Sequence, residues 1–185
     1  MEMNIQYDAT ILFVDDESAI LDVLRRSLAK FAARVFISDK PQEAIQIARH
    51  NQIEVLVTDL KMPGMGGIEL LKEVKLTNPN VVSIFLTAYG EKPVVQSAMR
   101  LGAYDFVDKP FVHKLMVACV RGALEKACNE RINRQIMELF ISHYSKLDMQ
   151  KFYELPYFER ERVIKAALGV ASMKIATQHL HKKAG

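Results

Sequence analysis

The stretch that decides the fold is "EVLVTDLKMPGMGG", Glu54 to Gly67, where Val-Leu-Val runs into an aspartate and then into a lysine, a proline and three glycines. An unbroken aliphatic run of this length reads as a strand buried on both faces, the mark of a parallel sheet. Such a strand ending on one carboxylate, followed by so permissive a loop, points to a reachable acid at a sheet edge. Working outward, runs of the same character occur at "TILFV" (10–14), "RVFI" (34–37), "VVSIFLT" (81–87) and "YDFV" (104–107), with "EVLVT" itself at 54–58. Amphipathic segments at about 17–31, 40–50, 66–77 and 91–101 separate them. Strand and helix in alternation predict a parallel sheet covered by helices on both faces. Ser38 or Asp39 is placed to cap the second helix, and Pro41 suits its first turn.

The totals set the bounds. The chain has 185 residues, 50% hydrophobic and 25% charged, enough for one full domain plus an appendage. No run approaches the length of a membrane span. The opening "MEMNIQYD" lacks the basic region and apolar run of a signal peptide, so a cytoplasmic location and no membrane partner are expected. Cys119 and Cys128, if on one helix, stand roughly 13 Å apart, beyond disulfide reach, and no metal-ligand spacing accompanies them. Residues 1–111 carry 12 Lys/Arg against 15 Asp/Glu, whereas residues 112–185 carry 13 against 7. That asymmetry suggests two parts with different partners.

From Phe111 onward strands cease. Residues 111–147 read as one long helix with Gly122 as an interior flaw. Its apolar stripe runs through Leu124, Cys128, Ile132, Ile136, Leu139, His143 and Leu147, past the point a domain core needs. Leu155-Pro156 then starts a helix, Gly169 is placed to stop it, and 171–183 reads as another.

In a parallel sheet, function gathers at the carboxyl edge. Here the first strand ends in Asp15-Asp16, the third in Asp59 and the fourth in Thr87-Ala88, while Lys109-Pro110 follows the fifth. Each alone reads as a cap, a turn residue or a solvated charge. Together, three carboxylates repel one another unless something positive holds them, and a divalent cation with hard oxygen ligands is the natural answer, with Lys109 a second charge. Mg2+ favours one or two carboxylates, waters and a phosphate oxygen, an arrangement in which Asp59 could attack a phosphoryl group.

"ILFVDDE", "LVTDLKMPGMGG", "IFLTAYG" and "GAYDFVDKPF", in that order over 1–122, resemble the receiver domain of two-component response regulators. The resemblance implies a flavodoxin-like α/β fold, strand order 2-1-3-4-5, with an all-α C-terminal extension. It makes Asp59 the phosphoacceptor, charged by a histidine kinase. It implies Mg2+ held by Asp16, Asp59 and the backbone carbonyl of Lys61, with Asp15 assisting through water. Lys109 would pair with the phosphoryl group, Thr87 would reach toward it, and Phe106 would be the switch aromatic. Phe106 departs from the tyrosine often found there, so a switch would run on ring position alone. Lys61 and Tyr89 would line the mouth of the site and slow hydrolysis. The domain expectation is a receiver at 1–122, an extended last helix and linker at 111–147, and a helical segment at 148–185.

The output is open at this stage. One reading is a switch whose extension forms a homodimer or binds a protein partner, the last receiver helix being the lever. Another is a DNA-binding transcriptional regulator cut short, because 155–180 resembles the start of a LuxR-type helix-turn-helix. That motif needs a following recognition helix, so DNA is a partner only if the chain is part of a longer regulator. An enzyme proper is disfavoured. Phosphatases of the haloacid dehalogenase type place a second Asp two residues after the nucleophile, where this chain has Lys61, and their nucleophile strand comes first.

Overall fold

The computed structural model describes residues 6–88, 92–145 and 147–183, the side chains of 92–95, 172 and 174–183 excepted. Strands and helices alternate: β1 Tyr7–Val14, α1 Ser18–Leu28 with a 3-10 turn Ala29–Phe31, β2 Ala32–Ser38, α2 Pro41–His50, β3 Val55–Asp59, α3 Gly67–Thr77, β4 Val82–Thr87, α4 Lys92–Arg100 and β5 Asp105–Asp108. Three helices follow: α5 His113–Ser145, α6 Met149–Glu154 and α7 Tyr157–Lys183. The sheet is parallel throughout, in the order β2-β1-β3-β4-β5. This is the flavodoxin-like order expected from the sequence, with a helical extension.

Period-2 alternation along each strand divides the core into two layers. Ile11, Phe13, Val57, Ile84 and Leu86 meet Leu21, Leu24 and Leu28 of α1 and Met116, Val120 and Leu124 of α5. Leu12, Val14, Leu56 and Phe85, one residue out of phase, meet Ala44 and Ala48 of α2, Leu70, Leu71 and Val74 of α3 and Ala98 of α4. Each such fully enclosed side chain contributes about 1.5–3 kcal/mol. Both strand faces being covered is why β1, β3 and β4 read as solid apolar runs. The layers fix the register: Val14 pairs with both Ser38 and Thr58, Asp59 with Leu86, and Thr87 with Asp108. All the strand ends therefore lie level along one edge.

Two sequence expectations are corrected. Neither Ser38 nor Asp39 caps α2. Lys40 is the N-cap, extended at φ −133° and ψ 127°, as a residue before proline prefers. Ser38 instead closes β2, accepting the Lys40 N–H at 3.2 Å and donating to Glu43 Oε2 at 2.8 Å. Gly169 does not stop a helix, since α7 runs unbroken through it. Gly169 sits in open space without the left-handed φ of a terminating glycine, and helix-forming Ala166, Ala167 and Leu168 precede it.

The chain divides into two compact units, Met1–Asn129 and Glu130–Gly185. Within the second, Ile141, Phe152 and Ala167 are buried, and Asp148 Oδ1 caps α6 by accepting the Lys151 N–H at 3.0 Å. The α5 stripe is covered at Leu124 but open at Ile132, Ile136 and Leu139, which are 48%, 59% and 71% exposed. Among the described residues, no helix is long and apolar enough to cross a membrane.

Candidate functional site

The carboxyl edge of the sheet brings β1, β3 and β5 to one ammonium. Asp15 follows β1 and is fully enclosed, Asp59 is the last residue of β3 and nearly so, and Lys109 follows β5. Lys109 Nζ lies 2.7 Å from Asp15 Oδ2 and 3.0 Å from Asp59 Oδ2. The Lys109–Pro110 peptide is cis. Lys109 is also tied to β4, its N–H donating to Thr87 O at 2.7 Å. Asp15 is fixed from two sides: its own N–H reaches Ser38 O at 3.3 Å, and its Oδ1 accepts the Glu17 N–H at 3.0 Å.

The loop after Asp59 explains the glycines. A Cβ on Gly67 would collide with the Asp59 carbonyl oxygen and come within 3.1 Å of Thr58 Cγ2; one on Gly66 would stand 2.9 Å from Leu60 O. Helix α3 starts directly against the end of β3, and only glycine allows that approach. The Asp59 carboxylate accepts the Lys61 N–H, and Lys61 is exposed.

Charge in the site is unbalanced. Burial raises the pKa of Asp15 against the opposing pull of Lys109. Burial likewise raises Asp59, with Asp15 adding to the rise and Lys109 opposing it. For Lys109, burial pulls downward, but its contacts with Asp15 and Asp59 outweigh that and raise it overall. Two enclosed carboxylates thus share one ammonium, which is too little positive charge for both. Asp16 adds a third acid, exposed, and one carboxylate oxygen from each of Asp15, Asp16 and Asp59 lies within 4.8 Å of the others. Asp15 Oδ2 is paired with the Lys109 ammonium at 2.7 Å, and that ammonium is shared with Asp59. Hard oxygen donors and surplus negative charge fit a divalent cation such as Mg2+.

Thr87 is buried at the end of β4, its Oγ1 donating to Ala88 O at 3.1 Å. Phe106 of β5 pairs across the sheet with Phe85 of β4, their rings stacked at 5.6 Å between centroids and 19° between planes. Phe106 is half-buried, so it is neither a sealed core residue nor a free one. Tyr89 lies outside the described residues. Sequence reasoning missed Glu17, whose Oε1 stands 3.6 Å from Lys109 Nζ. The third acid of Asp15-Asp16-Glu17 was the available signal.

Residues 11–121 match the response regulator receiver domain. The chain belongs to that family. A receiver is the signalling domain of two-component response regulators, and receivers bind Mg2+ in an acidic pocket such as the one formed here by Asp15, Asp16 and Asp59. The transcriptional regulatory protein FixJ of Rhizobium meliloti is 34% identical over 118 residues, covering 64% of this chain and 58% of FixJ. The receiver therefore spans little more than half of that relative. The response regulator protein TmoT of Ectopseudomonas mendocina is 26% identical over 181 residues, 95% of this chain and 82% of TmoT. A response regulator receiver domain from Clostridium thermocellum superposes with a TM-score of 0.57 at 31% identity, covering 66% of this chain and 96% of its own.

Proposed function

We propose that this receiver is a cytoplasmic phosphorylation switch whose acceptor is Asp59. The supporting observation is a single ammonium, Lys109, shared at 2.7 and 3.0 Å by Asp15 and Asp59, with Asp16 beside them. A deprotonated Asp59 oxygen attacks the phosphorus of a phosphohistidine on a histidine kinase. The new O–P bond forms as the N–P bond breaks, and the departing imidazole takes a proton from solvent. Lys109 moves from ground-state ion pairs to the transferring oxygens, and its hold on Asp15 keeps it in place. Asp16, Asp59 and the Lys61 carbonyl are the residues that would hold Mg2+, with Asp15 acting through water. When bound, the ion supplies the positive charge the site lacks and neutralises the transferring oxygens. The chain assists its own phosphorylation and dephosphorylation only, so it is a signalling acceptor and not a turnover enzyme.

Thr87 then turns toward the phosphoryl oxygens. The Phe106 ring, freed to slide on Phe85, repacks beneath α4, and the α4–β5–α5 face changes shape. Helix α5, 33 residues long, starts on that face and runs on past it, which makes it the lever. Its open stripe at Ile132, Ile136 and Leu139 supports a homodimer as the immediate output. DNA is the second reading, favoured by FixJ being named a transcriptional regulatory protein.

Incubating the full chain with radiolabelled acetyl phosphate and Mg2+ tests the acceptor. Label on residue 59, lost in Asp59→Asn and on adding a chelator, is the expected result. An unlabelled wild-type chain, or one labelled equally after Asp59→Asn, ends the proposal.

A further inference from the structure

The C-terminal unit contains a cleft of about 380 Å³ that the switch chemistry does not use. Its walls come from α5, α6 and α7, all within 130–185. Phe152, Tyr153, Tyr157 and Met137 make it aromatic and apolar, while Arg134 and Arg160 bring two guanidinium groups to it. The volume falls in the range of small-molecule sites, but the cleft is open: Phe152 is buried, whereas Tyr153 and Tyr157 are 48% and 77% exposed.

The two arginines are what the fold leaves unexplained. Neither has an ion-pair partner among the described residues. The Nε of Arg160 is buried and has no hydrogen-bond acceptor. A buried donor without a partner is costly, and a half-enclosed guanidinium more so. Glu161, the one acid in the wall, is not the answer, since Lys165 Nζ holds it at 2.7 Å. The cleft therefore carries net positive charge inside an aromatic frame.

We propose that it is a binding site for a small aromatic carboxylate. Arg134 and Arg160, both lining the cleft and neither ion-paired among the described residues, offer a carboxylate two guanidinium charges. Tyr153, Tyr157 and Phe152 take the ring by stacking or edge contact. An inorganic anion would use the arginines and waste the aromatic walls; a neutral arene would leave both guanidinium charges unmatched. A carboxylate on a ring uses both. This site is separate from Asp59 and does not depend on the phosphoryl reading.

The test titrates the full chain with benzoate, reading heat and tyrosine fluorescence; the chain has six tyrosines and no tryptophan, so the part of the signal lost in Tyr153→Phe and Tyr157→Phe reports the cleft. Saturable binding with a Kd on the order of 1 mM or tighter is expected. Benzyl alcohol and acetate, each lacking one half of the ligand, bind about tenfold more weakly or worse. Arg160→Gln and, independently, Arg134→Gln weaken benzoate by about tenfold at unchanged helicity by circular dichroism. If one variant loses its helicity, the other decides. The proposal is overturned if benzoate does not saturate, if acetate binds equally well, or if both variants keep full affinity. Binding of a peptide ending in phenylalanine, with none of benzoate, would replace the small molecule with a protein partner.

Discussion

Asp15 carries the strain of the site. Its carboxylate is fully enclosed, it shares its ammonium with Asp59, and burial raises its pKa above the usual 3.8. A carboxyl group whose folded pKa is raised favours folding most while protonated, below about that usual value. The benefit disappears as pH rises through the raised pKa, and at neutral pH the ionised group opposes folding. Asp15→Asn removes the ionisable group and keeps an Oδ1 to accept the Glu17 N–H; its Nδ2 then faces Lys109, whose ammonium must turn from it to Asp59. The metal-free variant is expected to be more stable than wild type by about 1 kcal/mol, or roughly 3 °C, at pH 7. The gain shrinks toward zero near pH 4, and Mg2+ narrows it by stabilising wild type more. Thermal melts across pH, with and without the metal, check this; equal melting temperatures at pH 7 would refute it. At this scale the acids, Thr87 and Lys109 were legible because each ends or follows a strand, and strand ends are read from where apolar runs stop. Asn78 was not. It donates to Ala48 O at 2.8 Å and accepts the Ile53 N–H at 2.8 Å, tying α2 and α3 to the start of β3. Nothing in the local pattern marks a long-range polar knot.

The elements show why the same residue type reads differently in two places. Gly67 and Gly169 both lie within helices, yet one is pressed against the β3 backbone and the other faces empty space. Gly67→Ala meets a carbonyl that cannot rotate aside, so α3 must back away from Asp59. A loss of roughly 1–3 kcal/mol is expected, with weaker phosphorylation because the acceptor strand end moves. Gly169→Ala meets nothing and lengthens the run of good helix formers, gaining about 0.5–1 kcal/mol in α7. Urea melts of the two variants should shift in opposite directions. A destabilised Gly169→Ala would mean that α7 breaks at 169 after all. The sequence pattern could not separate these glycines, since neither one's neighbours in space are its neighbours in chain. The five strands were legible for the opposite reason. Burial on both faces leaves continuous apolar runs in β1, β3 and β4, the edge strands β2 and β5 keep shorter ones, and the structure moves the limits by three residues at most, as at Tyr7, where β1 begins earlier than "TILFV".

For the whole molecule, the consequence of phosphorylation rests on α5, the one element present in both compact units. From Ile132 its open residues fall at 132, 136 and 139, with exposed His143 next, a four-three-four spacing. That is the spacing of a coiled-coil seam, though a short one. The positions flanking it, Cys128, Asn133, Gln135, Phe140 and Ser142, carry no formal charge, whereas Glu130, Arg131, Arg134 and Glu138 stand away from it. Two copies can therefore bring the seams together without like-charge repulsion. So short a seam gives marginal association, which a modest change at the receiver face can tip. Beryllofluoride with Mg2+, standing in for the phosphoryl group, is expected to convert the chain from monomer to dimer in sizing with light scattering. Ile136→Lys places an ammonium in the seam and should abolish the shift while leaving Asp59 labelling unchanged. A dimer that survives Ile136→Lys would move the interface to another surface, and a wild-type mass unchanged by beryllofluoride would remove the lever from the mechanism.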